Sequence, residues 1–129
     1  MLEVGITGHQ ELVVTEELTA KAMGSGELNV FATPAMLALM EKTAYQSVAC
    51  ELEEGSGSVG TMVNLTHSAA SPVGMKITCD SKLIAMDGRK LVFEIEAKDD
   101  AGVIGQATHE RFIIYNEKFQ AKTDAKNGK

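Results

Sequence analysis

Residues 33–53, TPAMLALMEKTAYQSVACELE, decide how the rest of this chain is read. From Pro34 to Glu53 the apolar spacing is that of one long helix. At about 100° per residue, Leu37, Met40, Ala44 and Val48 fall on one narrow face, and Glu41 falls among them. Lys42, Gln46 and Glu53 take the opposite face, so water is available there for charge. A carboxylate in the apolar stripe costs several kcal/mol by order of magnitude unless something compensates it. Such a group is a candidate for chemistry.

Working outward, Thr33-Pro34 predicts the helix start, with a capping hydroxyl followed by proline at the first helical position. Gly55 ends the helix. Before it, Ile6 to Val14 reads as a strand. Thr15 then caps a short helix carrying Glu16 and Glu17 in its first turn, and Gly24 and Gly26 end that helix. After the long helix the pattern turns strand-like: Ser58 to Ala69, Met75 to Met86, Lys90 to Lys98, and a long final strand from Val103 to Phe119. Ser71-Pro72-Val73-Gly74, Asp87-Gly88 and Asp99-Asp100-Ala101-Gly102 are the turns between them. The polar, Lys-rich residues 123–129 read as a disordered tail on a single domain spanning 1–122.

One strand, helical material and four antiparallel strands define an α+β chain whose sheet wraps one central helix. A sheet of one layer leaves an open face or edge. A homodimer would cover it.

The chain has 129 residues, a net charge of −6, and 44% hydrophobic and 23% charged residues. That composition suits a globular domain with a real core. It argues against a nucleic-acid partner, which needs a basic patch. No run reaches membrane-spanning length, and the first residues lack the regions of a signal peptide. Cys50 and Cys79 make no metal or redox motif, so a reducing cytoplasm is the simplest location.

Three polar residues are expected to converge: Glu41, Thr33 eight residues before it, and His67. Val59, Val63, Leu65, His67 and Ala69 share the more apolar strand parity, which turns His67 toward the helix. A carboxylate, an imidazole and a hydroxyl in one cleft suit acyl transfer or hydrolysis. Each also has a plain structural role: Thr33 as a helix cap, His67 as a core histidine, Glu41 as the partner of a buried Arg111. His109 and Arg111 share parity with Ile113 and line the core or a dimer seam. Gly60 suits a close backbone approach to a ligand.

Val30-Phe31-Ala32-Thr33, Leu39-Met40-Glu41, Gly57-Ser58-Val59-Gly60-Thr61, Thr66-His67-Ser68-Ala69-Ala70-Ser71-Pro72 and Thr108-His109-Glu110-Arg111 occur in order. Together they resemble the fluoroacetyl-CoA thioesterase family, a branch of the hotdog-fold thioesterases, from about Val14 to Lys122. The resemblance implies a homodimeric hotdog domain that hydrolyses a short acyl-CoA, with no metal or redox cofactor. It implies Thr33, Glu41 and His67 as catalytic residues, and Gly60 and Arg111 as substrate-binding ones. The fluoroacetyl enzyme has phenylalanines in a lid before this motif and glycine after its threonine. Here the stretch is Met23-Gly24-Ser25-Gly26-Glu27-Leu28-Asn29, and Pro34 follows Thr33. The reaction class is therefore implied, and the acyl group is not. The alternatives are a dimer that binds CoA or an acyl-CoA without cleaving it, hydration of an enoyl thioester, and a purely structural domain.

Overall fold

A computed structural model describes residues 1–128. The chain runs through β1 (Thr7–Val13), a 3-10 turn (Glu16–Leu18), α1 (Ala20–Met23) and α2 (Thr33–Ala49). Then follow β2 (Ser56–His67), β3 (Lys76–Asp87), β4 (Lys90–Asp99), β5 (Gly102–Tyr115), α3 (Asn116–Asp124) and a last 3-10 turn (Ala125–Asn127). The five strands form one antiparallel sheet in the order β1-β3-β4-β5-β2. The sheet packs around α2, which is the hotdog arrangement expected.

The buried face of α2 is Ala35, Met36, Leu39, Met40, Thr43, Ala44 and Val48. It meets Ile77, Leu83, Leu91, Phe93, Ile95 and Ile104 from the sheet. Spacing of three and four residues gives that stripe directly. Its centre is not where the periodicity had put it. Leu37 and Glu41 lie at the margin, half-buried. The polar residue in the middle is Thr43, whose hydroxyl donates to the Leu39 carbonyl at 2.7 Å and so needs no other partner.

Four local readings are corrected. Ala32, not Thr33, is the N-cap of α2, and Thr33-Pro34 open its first turn. The helix after Thr15 is only a 3-10 turn followed by α1, whose cap is the Thr19 hydroxyl accepting from the Ala22 amide at 3.2 Å. The final strand stops at Tyr115, short of Phe119, and the chain turns helical through Asn127 where a disordered tail was expected. A strand pattern of alternating residues fails there, because Asn116 to Asp124 is polar apart from Phe119 and Ala121 and none of it is buried. The fourth correction concerns β2. A bulge at Thr61, between Gly60 and Met62, inserts one extra residue against β5. Gly60 pairs with Arg111 and Val63 with His109, so Gly60, Val63, Leu65 and His67 share the helix-facing side. Val59 is thereby moved to the other side.

Gly88, with φ at +60°, makes the tight turn between β3 and β4. Cys50 and Cys79 are both free thiols, and burial pushes the Cys79 thiol up to about 11. No helix among the described residues is long and apolar enough to cross a membrane.

Gly105 in β5 has no room for a side chain: an added Cβ would run into the Met36 thioether and lie 2.9 Å from the Thr66 carbonyl. Gly105→Ala is expected to cost about 1–3 kcal/mol of stability, the range for an overpacked core. Denaturant titration at fixed protein concentration measures it, and an unshifted midpoint would show that β2 and β5 yield freely here.

Candidate active site

The first turn of α2 faces the far end of β2. Thr33 does not cap its own helix; its Oγ1 lies 2.8 Å from His67 Nδ1. Phe31 sets its ring edge-on to the imidazole at 6.4 Å between centroids. Burial lowers the pKa of His67, with the Ala69 backbone opposing only in part, so the neutral ring is favoured near neutral pH. Its Nε2 is buried and has no hydrogen-bond partner. An orphaned imidazole nitrogen of this kind costs free energy, and such atoms are commonly explained by a ligand or by catalysis. A cleft of about 300 Å³ lies at this point, lined by Ala20, Val30, Phe31, Thr33, His67 and Ala69 among others.

Two turns further along α2, Glu41 meets Arg111. Arg111 Nη1 donates to Glu41 Oε2 at 3.3 Å. Arg111 is 6% exposed, and its guanidinium is held from three sides. Its Nε donates to Ser58 Oγ and its Nη2 to the Ser58 carbonyl, both at 2.8 Å, and Tyr45 stacks on it with the ring centroid 5.7 Å away. Burial pulls the arginine's pKa down, and Glu41 acts against that pull. The Glu41 side chain is 41% exposed, so the dry cleft expected around it is instead half open, with a cation supplied by Arg111.

Gly60 completes this group. A Cβ there would sit 2.6 Å from Glu41 Oε2. Absence of a side chain gives the carboxylate its space, and the bulge at Thr61 turns this glycine to the helix side. His109 is also present: its Nδ1 is 2.8 Å from the Met62 carbonyl and its Nε2 3.2 Å from Arg111 Nη1. Parity with Arg111 had indicated a buried His109, but not this bonding. Ser58 stood in the Gly57-Ser58-Val59-Gly60-Thr61 motif, but nothing in the sequence assigned it a role.

The expected residues thus form two groups within one chain. Thr33 joins His67, and Glu41 joins Gly60 and Arg111. No hydrogen bond among the described residues connects the two groups. Eight helical residues separate Thr33 from Glu41, about 12 Å along the axis. Convergence of all three within one chain is therefore not what the structure has. A larger depression, about 960 Å³, lies on the outer side of the sheet among His9, Asp80, Lys82, Glu94 and Glu96, away from both groups. Among the described residues no three His, Cys, Asp or Glu side chains are arranged to hold a metal ion.

A sheet around one helix, with a hydroxyl–imidazole pair and an arginine-held carboxylate, defines a hotdog domain of thioesterase type. The family described as fluoroacetyl-CoA-specific thioesterase matches residues 14–117, and this chain belongs to it. A fluoroacetyl-CoA thioesterase from Streptantibioticus cattleyicolor is 43% identical over 97 residues, covering 75% of this chain and 70% of that protein. A crystal structure of a fluoroacetyl-CoA thioesterase superposes with a TM-score of 0.91 at 37% identity, covering 98% of each chain. A thioesterase superfamily member from Thermus thermophilus gives a TM-score of 0.91 at 26% identity, over 99% of this chain and 95% of that one.

Two outcomes test the geometry. Gly60→Ala should displace the Glu41 carboxylate while leaving the fold intact, seen as a lost Glu41–Arg111 contact in a crystal structure and a lowered melting temperature, because the buried guanidinium loses its counter-charge. An undisturbed carboxylate would show that the glycine is not needed for space. His67 has its pKa depressed below the unfolded value of 6.5. The unfolded chain then binds more protons, so this group's stabilisation is complete above about pH 6.5 and is lost as pH falls below it. His67→Gln should flatten the acid limb of a melting curve measured against pH. An equal slope in both proteins would contradict a buried neutral ring. His9, whose pKa is raised by Glu11 and Asp80, contributes equally to both and cancels.

Proposed function

We propose that this protein hydrolyses a short-chain acyl-CoA thioester to the free acid and CoA, as a homodimer whose sites form across two β2 edges. The observation that supports the reading is the separation of two complementary half-sites at opposite ends of one edge strand. β2 is the sheet edge, and it exposes Met62 and Val63 near its middle. The other edge, β1, carries the charged cluster of His9 and Glu11. A long edge strand with apolar side chains exposed near its middle invites antiparallel pairing with a second copy, and a two-fold axis through its centre is the closed solution. That axis would bring the His67 end of one strand beside the Gly60 end of its partner. Both ends face the helix layer, so Thr33 and His67 of one protomer would meet Glu41, Gly60 and Arg111 of the other.

In that arrangement Arg111 engages Oε2 of Glu41, which leaves Oε1 to attack the thioester carbonyl or to take a proton from water. Direct attack forms an acyl anhydride on Glu41 as the C–S bond breaks, and water then cleaves the anhydride to release the acid; activated water instead forms the new C–O bond and breaks the C–S bond in one addition and elimination. The neutral His67 is suited to stabilise the departing sulfur by an Nε2–H hydrogen bond while its Nδ1 accepts from the Thr33 hydroxyl, and the proton that Glu41 removes from water passes on to the thiolate. Backbone N–H groups near Gly60 would hold the oxyanion, at about 3 kcal/mol for one such donor. A related fluoroacetyl-CoA thioesterase has been crystallised in complex with fluoroacetate and CoA, which supports an acyl-CoA as the ligand class. The acyl-CoA ligand and two free thiols support a cytoplasmic location.

The test is thiol release from a panel of short acyl-CoAs. Glu41→Gln should lower kcat by about a hundredfold or more, as loss of a general base does. A binder that does not cleave would give a thermal shift with CoA and no thiol. Mixing Glu41→Gln with His67→Ala then tests the shared site. Heterodimers keep one intact site, so subunit exchange should restore about a quarter of wild-type activity. If the mixture stays as inactive as its components, each site belongs to a single chain.

A further inference from the structure

The buried imidazole of His109 takes no part in the reaction described above, yet it touches the arginine that holds Glu41. Both of its partners have fixed polarity. The Met62 carbonyl only accepts, so His109 Nδ1 carries the proton. The Arg111 guanidinium only donates, so His109 Nε2 must be bare. The tautomer follows from these two contacts alone. We propose that His109 is a positioning residue of this site: its neutral ring offers the Nε2 lone pair to Arg111 and so aims the guanidinium at Glu41.

The geometry makes this role specific. Ser58 takes the Nε and Nη2 side of the guanidinium. Nη1 is the remaining end, and its two contacts are Glu41 Oε2 at 3.3 Å and His109 Nε2 at 3.2 Å. Two acceptors for one NH2 group fix its direction. Without the imidazole a donor on Nη1 would be buried and unpaired, and the fork would be free to swing about Ser58. The same ring bonds Met62, next to the bulge that turns Gly60 beneath Glu41. One histidine therefore sets both the cation and the glycine that flank the carboxylate.

A protonated ring would set one N–H against another. Burial, and to a lesser degree Arg111, lower the pKa of His109 against the Met62 carbonyl and Glu41, and the Phe93 ring lies tilted beside it with centroids 6.3 Å apart. His109 is 2% exposed.

This inference rests on the reading that Glu41 acts on a thioester. Two variants divide the roles of the ring. Gln reaches the Nε2 position and keeps an acceptor for Arg111. Asn reaches only the Nδ1 position and keeps the bond to Met62. His109→Asn should lower kcat about tenfold or more with KM nearly unchanged, the effect of losing a hydrogen bond to a charged group. His109→Gln should retain most of kcat. A Gln variant no better than the Asn variant overturns the proposal, and so does full activity in both. Nitrogen-15 NMR of the wild-type protein at neutral pH gives a readout independent of turnover. A proton on Nδ1 with a bare Nε2 is expected, and the opposite tautomer or a doubly protonated ring overturns the proposal. Should the wild-type protein release no thiol from any acyl-CoA, the hydrolase reading fails, while the NMR result still decides the His109–Arg111 contact.

Discussion

A guanidinium under the sheet is the constraint from which the rest of this structure follows. Arg111 cannot shed its charge, so its burial demands a carboxylate and a full set of acceptors. Glu41 supplies the charge, Ser58 two acceptors, His109 a third, and Tyr45 a π face. Each demand shapes a different element. Glu41 is drawn to the margin of the α2 stripe. Ser58 and Gly60 must face inward from β2, and the bulge at Thr61 lets His67 do so as well. A carboxylate tied in this way keeps one oxygen anchored and stays in place without being dried out.

The second half-site obeys the opposite logic. Around His67 the chain withholds partners: Nδ1 is satisfied by Thr33, and Nε2 by nothing in the described chain. Small side chains at Ala20 and Ala69 leave a cleft there. One end of β2 is therefore over-satisfied and rigid, the other under-satisfied and receptive. The hydrolysis proposed above would use both, the fixed carboxylate as base or nucleophile and the open imidazole nitrogen as a hydrogen-bond partner of the leaving sulfur.

Much of this was legible in the sequence. The α2 spacing, the turn at Asp87-Gly88 and the alternation in β3 to β5 give the layer arrangement, because each is a local pattern with a fixed period. The pairing of Glu41 with Arg111 was foreseeable, since a carboxylate near an apolar stripe needs a cation. Three things were not. Periodicity counts residues and has no means of registering a bulge, so Val59 was assigned to the wrong side. Thr33 before Pro34 has the form of a cap, and only the approach of His67 across the sheet shows that its hydroxyl is used elsewhere. The separation of Glu41 from His67 depends on how far along a helix and a strand each lies, which shared parity does not encode.

The central claim is that the carboxylate and the imidazole work together only across two copies of the chain. A crystal structure with CoA and a short carboxylic acid bound tests it most directly. The account predicts β2 paired with β2, with His67 Nε2 of one protomer and the Glu41 carboxylate of its partner both within about 4 Å of the acid or the CoA sulfur. Copies joined through β1, or ligand bound at His67 with every Glu41 remote from it, would contradict it.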